Sequence, residues 1–229
     1  MLLDWIFGLC LLLVFPAYQL WDAIRRQRLP RSRISRYWTS IGTMCVLLLL
    51  LLAHAWQRGL GPDAFGIRFA MPARERYLLA AAIAVIALWH LAMHGAMRLA
   101  QGDPGMAEAI GKMGNNQLLP RTGAEARLFA LYLIAVAVGS DLLYRGFLLT
   151  TLAPLSGAFL AIMLASLADA MTYGYDKPRD IPGNMALAIV LATAVWLSQS
   201  LLWVMLLHLG IGISTTHIAW RSMQGARAA

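Results

Sequence analysis

From Pro120 to Leu152 the chain reads PRTGAEARLFALYLIAVAVGSDLLYRGFLLTTL. Most of this stretch is apolar, and it exceeds the roughly 20 residues that a helix needs to cross a bilayer. Inside it sit Ser140, Asp141 and Arg145. A charge at the centre of a spanning helix costs about 2.5–3.5 kcal/mol on insertion scales, so it needs a partner or a purpose. Asp141 and Arg145 are four residues apart, which puts them on one helical face, acid before base, where they can pair. Such a pair by itself requires nothing beyond a buried salt bridge that locks this helix to its neighbours.

The remainder of the chain has the same character. Of 229 residues, 60% are hydrophobic and 13% charged, with a mean hydropathy of +0.64. That is more apolar surface than a soluble domain of this size uses, and continuous apolar runs cross a bilayer as helices. The fold class expected is all-α, a polytopic transmembrane bundle of about seven spans. The spans are read at 2–21, 38–56, 77–98, 126–152, 157–173, 184–198 and 200–220. The first is read as a retained helix, because its start carries Asp4 and no Lys or Arg, no Ala-x-Ala site follows and the run ends against a block of Arg; Pro16 is expected to kink it.

The net charge of +8 concentrates in loops, six Arg falling between Arg25 and Arg36. This bias puts that loop in the cytoplasm and the N-terminus outside. Fourteen Lys and Arg then fall inside against four outside, with Arg145 in the membrane. The charge therefore speaks for membrane lipids as partners and against nucleic acid. Loops rich in Gly and Pro are expected at 57–76, 99–125 and 174–183. Cys10 and Cys45 fall inside apolar runs as small hydrophobes, and no disulfide framework is expected.

Further polar residues interrupt the apolar segments. His90 and His94 have the spacing of a metal-binding pair on one helical face, yet without the intervening Glu of an HExxH motif; polar residues turned to the bundle interior account for them better. If the chain reverses near Gly157, Asp141 lies sixteen residues before the turn and Tyr173 sixteen after it, about 24 Å from it on each side. Asp141, Arg145, Asp169 and Tyr173 can then share one layer, with His208 of the last span as a further candidate.

The same positions carry a resemblance. LPRTGAEARLF…VGSDLLYRGFLL is similar to the first signature of the CAAX-protease and bacteriocin-processing (CPBP) intramembrane proteases: Leu-Pro, then Glu-Glu-x-x-x-Arg-Gly-Phe-Leu. Arg145, Gly146, Phe147 and Leu148 match, but Ser140 and Asp141 stand at the two glutamates. SLADAMTYGYDKPRDI resembles the second signature from Ser166, with Asp169 at its Phe, Tyr173 at its His and Tyr175 at its loop Tyr. SLLWVMLLHLGIG resembles the third, supplying His208, with Gly212 at an Asn or Asp position. FGIRFAMP resembles a further family segment faintly. The likeness covers about 118–220, which divides the chain into N-terminal spans and loops (1–117) and a protease-like core (118–221).

Members of that family are thought to cleave peptide bonds within the membrane, a glutamate activating water with or without a metal while His and Asn side chains bind it or steady the oxyanion. Here His208 is kept, Asp141 is a shorter substitute and three polar groups are replaced. Two readings follow. In one, the chain is a non-catalytic relative without a cofactor, binding a membrane peptide or protein partner, with Asp141–Arg145 as a structural pair. In the other, it is a peptidase with a rebuilt site: Asp141, Arg145, His208 and Tyr173 carry the chemistry, and Asp141, Asp169 and His208 hold a divalent metal such as zinc. Transport of a small molecule or ion is a third possibility. The resemblance and the Arg-rich first loop together imply a bacterial inner membrane.

Overall fold

The computed structural model describes residues 2–28, 32–69, 72–100, 118–173 and 181–228. Among them are seven helices and no strand: α1 (2–28), α2 (Arg33–Arg58), α3 (Ala73–Ala100), α4 (Gly123–Ser156), α5 (Ala158–Tyr173), α6 (Ile181–Ser198) and α7 (Leu202–Ala228). Five of these, α1 to α4 and α6, are long and apolar enough to cross a membrane, whereas the apolar parts of α5 and α7 are shorter. The chain is thus the all-α membrane bundle its composition requires. The Gly-rich segment between α3 and α4, and the 174–180 segment with Tyr175, lie outside the described residues.

Several details differ from the sequence reading. α1 continues to Arg28 and α2 starts at Arg33, so the Arg-rich loop is mostly helix. Arg and Gln are good helix formers, and long basic side chains can reach the polar interface from a helix end. Ser32 caps α2 by accepting from the Ser35 N–H at 3.2 Å. The 57–76 loop holds a short 3-10 turn, Pro62–Phe65, whose Phe65 is buried, and the Leu201 N–H donates to Gly66 O at 2.8 Å. Pro16 follows a π-helical turn, Cys10–Val14, in which the Phe15 N–H bonds back to Cys10 O. The wider turn accommodates a proline that has no N–H to give.

The helix opened by Pro120 is the axis of the molecule: α2, α5 and α7 all pack on α4. Its start is fixed by a Thr-x-x-Glu arrangement. Thr122 Oγ1 accepts from the Glu125 N–H at 3.2 Å, and Glu125 Oε2 accepts from the Arg121 N–H at 2.7 Å. These bonds satisfy amides that the first helical turn leaves unpaired. The Tyr37 hydroxyl of α2 donates to Leu118 O, and its ring stacks near Phe129 and Tyr132. From Leu143 to Leu149 every residue of α4 is buried, so this part of the helix is enclosed on all sides.

Gly157, at φ +78°, makes the α4–α5 reversal; that region of backbone space suits glycine. Pro154 is tolerated in the last turn of α4. α3 is peripheral, only 6% of its apolar span being buried, and it packs chiefly on α7. The two helices meet where Gly210 faces Ile86: a Cβ on Gly210 would stand 2.3 Å from Ile86 Cδ1. Gly210→Val should therefore weaken α3–α7 docking by about 1–3 kcal/mol through overpacking. An added Ile86→Ala should recover much of the loss, as read by unfolding in detergent; equal stability of the wild type and the Gly210→Val variant would refute this packing.

Candidate functional site

Asp141 opens a second π-helical segment, Asp141–Leu148, within α4, where the Leu149 N–H bonds to Tyr144 O. Such wide turns are rare and concentrate at functional sites. Here the segment contains the whole Asp-x-x-x-Arg-Gly-Phe-Leu run. Phe147 packs against Phe7 of α1 and against the His54 ring of α2. Gly146 leaves room for the 62–65 turn, since a Cβ there would lie 3.3 Å from Phe65 O. The motif is thereby anchored on both sides of its two charged residues.

Arg145 is 2% exposed and Asp141 0%. The guanidinium donates through Nη1 to Asp141 Oδ1 and through Nη2 to Asp169 Oδ2, the latter at 2.6 Å. Asp169 reaches this point because Arg145 is twelve residues before Gly157 and Asp169 twelve after it, so the α4–α5 hairpin brings them to one depth. His208 of α7 places Nδ1 3.3 and 3.2 Å from the two Asp141 oxygens. The structure thus unites Asp141, Arg145, Asp169 and His208 in one layer, and the guanidinium is the centre of it. Tyr173 ends α5 on the same helix as Asp169, but its side chain lies outside the described residues.

Beside the layer lies a cavity of about 220 Å³. Arg145, Asp169, His208 and Asn184 supply its polar wall, and Leu133, Val136, Leu187 and Leu209 much of its apolar wall. Asp141 does not line it. Gly212, at a position where the resembling pattern has a polar side chain, does line it, and a Cβ there would meet nothing within 4 Å. Asp169 Oδ1 is buried with no hydrogen-bond partner among the described residues, as is Ser166 Oγ one turn earlier. The carboxylate that lines the cavity is therefore Asp169, not Asp141.

Asp141, Asp169 and His208 do not fit a metal ion as they stand. The space between the two carboxylates is taken by a cation that already bonds both, and among the described residues no three His, Cys, Asp or Glu side chains are grouped as metal ligands. Asn184 and Tyr132, also on the cavity wall, were not singled out in the sequence. A lone amide near the start of an apolar helix was the available signal for Asn184, and Tyr132 carried none.

The cluster depends on its cation. Arg145→Ala leaves two buried carboxylates without their partner and should cost about 3–5 kcal/mol, seen as loss of folded protein in membranes. Replacing all three charges together, as Asp141→Leu, Arg145→Met and Asp169→Leu, should cost much less, because an apolar set of similar volume needs no counter-ion. If the triple variant is as damaged as Arg145→Ala, the charges do more than balance one another.

The region that builds this layer is also the region of known likeness. Residues 122–213, from the cap of α4 to just past Gly212, match the family described as type II CAAX prenyl endopeptidase Rce1-like. No curated protein and no solved structure matches the chain. The match agrees with the signatures around Arg145, Ser166 and His208, and it makes this region similar to a membrane CAAX protease in a chain with apolar helices of spanning length.

Proposed function

We propose that this protein uses the protease-like bundle to bind a membrane peptide or a partner protein without cutting it. The observation that carries this reading is the Arg145 fork. A general base must have an oxygen free to take a proton from water within hydrogen-bond reach. Asp141 has both oxygens engaged, by Arg145 and His208, and is sealed from the cavity. An oxyanion must also be met by donors placed where charge develops, and Gly212 brings no side chain to that wall. What remains is a small, largely apolar recess whose polar lining comes from Asp169, His208, Asn184 and the Arg145 that Asp169 already holds. That chemistry suits an extended apolar segment whose backbone or side-chain N–H groups need acceptors.

One observation favours the second reading, a peptidase with a rebuilt site: Asp169 lines the cavity, and its buried Oδ1 has no hydrogen-bond partner among the described residues. Metal chemistry at Asp141, Asp169 and His208 would first require Arg145 to leave.

The test separates the two. In nanodiscs, the purified protein should not turn over a prenylated CAAX peptide, and Asp141→Asn should leave its cellular function intact at normal abundance. Filling the recess with Gly212→Phe should abolish that function at normal abundance. Turnover that disappears in Asp169→Asn or Asp141→Asn would establish the peptidase instead.

A further inference from the structure

The layer behind the recess is short of one positive charge. Asp141 and Asp169 share the single guanidinium of Arg145, and a neutral imidazole at His208 adds none. An excess charge held this far from water is costly until something of opposite sign meets it. Asp169 lines the cavity and Asp141 does not, so a ligand in the recess meets the excess at Asp169. Oδ2 of that side chain already accepts from Arg145 Nη2 at 2.6 Å, whereas its Oδ1 has no partner among the described residues. A proton on Asp169 would cancel the excess, and so would a cation brought by a ligand.

His208 is oriented by the other acid. Its Nδ1 lies 3.3 and 3.2 Å from the two Asp141 oxygens. An ionised carboxylate only accepts, so Nδ1 carries the N–H and donates. In the neutral ring Nε2 then keeps a lone pair, on a side chain that lines the cavity. Asn184, the fourth residue of α6, adds a side-chain carbonyl to the same wall. The recess therefore has three acceptors of different chemistry on three helices: a carboxylate on α5, an amide oxygen on α6 and an imidazole nitrogen on α7.

We propose that the recess takes the ammonium of a lysine side chain carried by an otherwise apolar membrane peptide. The inference rests on the binding function proposed above and names the group that is bound. An ammonium has three donors and no acceptor, one donor for each of the three groups. A guanidinium matches less well: it is a planar fork that pairs best with both oxygens of one carboxylate, and Asp169 has already given one to Arg145. The lysine stem is apolar and can lie along Leu133, Val136, Leu187 and Leu209 while its charge meets the acid. Asn184 stands in the first turn of α6, near the end of a spanning helix, the depth at which a lysine flanking an apolar segment is accommodated. Arg145 also lines the cavity, but its two arms are drawn to the acids, Nη1 to Asp141 and Nη2 to Asp169.

The experiment uses the full chain in nanodiscs and a labelled synthetic peptide, a Leu-Ala segment of spanning length with one lysine near its end. Matched peptides carry norleucine or arginine in its place, and binding is read by energy transfer to the labelled protein. The lysine peptide should bind roughly tenfold or more tightly than either. Asp169→Asn keeps the Asp141–Arg145 pair and the side-chain shape, so it should fold; it should bring the lysine and norleucine peptides within about twofold of each other. Asn184→Leu should narrow the preference as well, at unchanged melting temperature. Equal binding of the lysine and norleucine peptides by the wild type, or a lysine preference that survives in Asp169→Asn, would overturn this inference and leave the binding function standing. No saturable binding of any of the three peptides would overturn both.

Discussion

A single guanidinium shared by two buried carboxylates is the constraint around which this bundle is arranged. Arg145 cannot leave its place without stranding Asp141 and Asp169, both of them buried. The same fork joins α4 to α5 across the Gly157 turn, and Asp141 passes the linkage on to α7 through His208. Three helices are thus tied at one depth by polar contacts, where packing between apolar helices in lipid has little directional preference. The wide turn of α4 over Asp141–Leu148 carries both of the fork's α4 residues.

This constraint also shapes the chemistry. A hydrolytic site needs a base with a lone pair to spare and donors in position for developing charge. In this chain the carboxylate nearest the Arg-Gly-Phe-Leu turn is consumed by structural contacts. The acceptor left beside the cavity belongs to Asp169, which occupies an aromatic position of the resembling pattern. The second acid engages the other arm of the fork: Nη1 is held by Asp141 and Nη2 by Asp169. A binding recess is what remains when the apolar walls are kept and the reactive groups are turned to each other.

Much of this was legible in the sequence. The helix count, the reversal at Gly157, and the shared depth of Asp141, Arg145 and Asp169 follow from apolar length, a glycine break and spacing about it, whereas the depth of His208 does not. What the sequence could not give was the direction of each bond. Residue spacing sets depth, but it does not say that the Arg145 fork opens toward α5, or that Asp141 is closed off from the cavity by His208. The helical continuation through the Arg-rich loop was missed because charge was read as loop, although Arg favours helices. The sequence also did not show that His217 lies near His90 and His94, because they sit on a helix more than a hundred residues earlier that packs on α7.

The most direct test of the shared cation is a pair of double-mutant cycles on unfolding of the membrane-embedded protein, one between Arg145 and Asp141 and one between Arg145 and Asp169. A guanidinium that serves both acids gives a coupling within about 0.5–3 kcal/mol in each cycle. Coupling confined to Asp141, with Asp169 behaving independently, would contradict the account, because the second carboxylate would then be free to act on water.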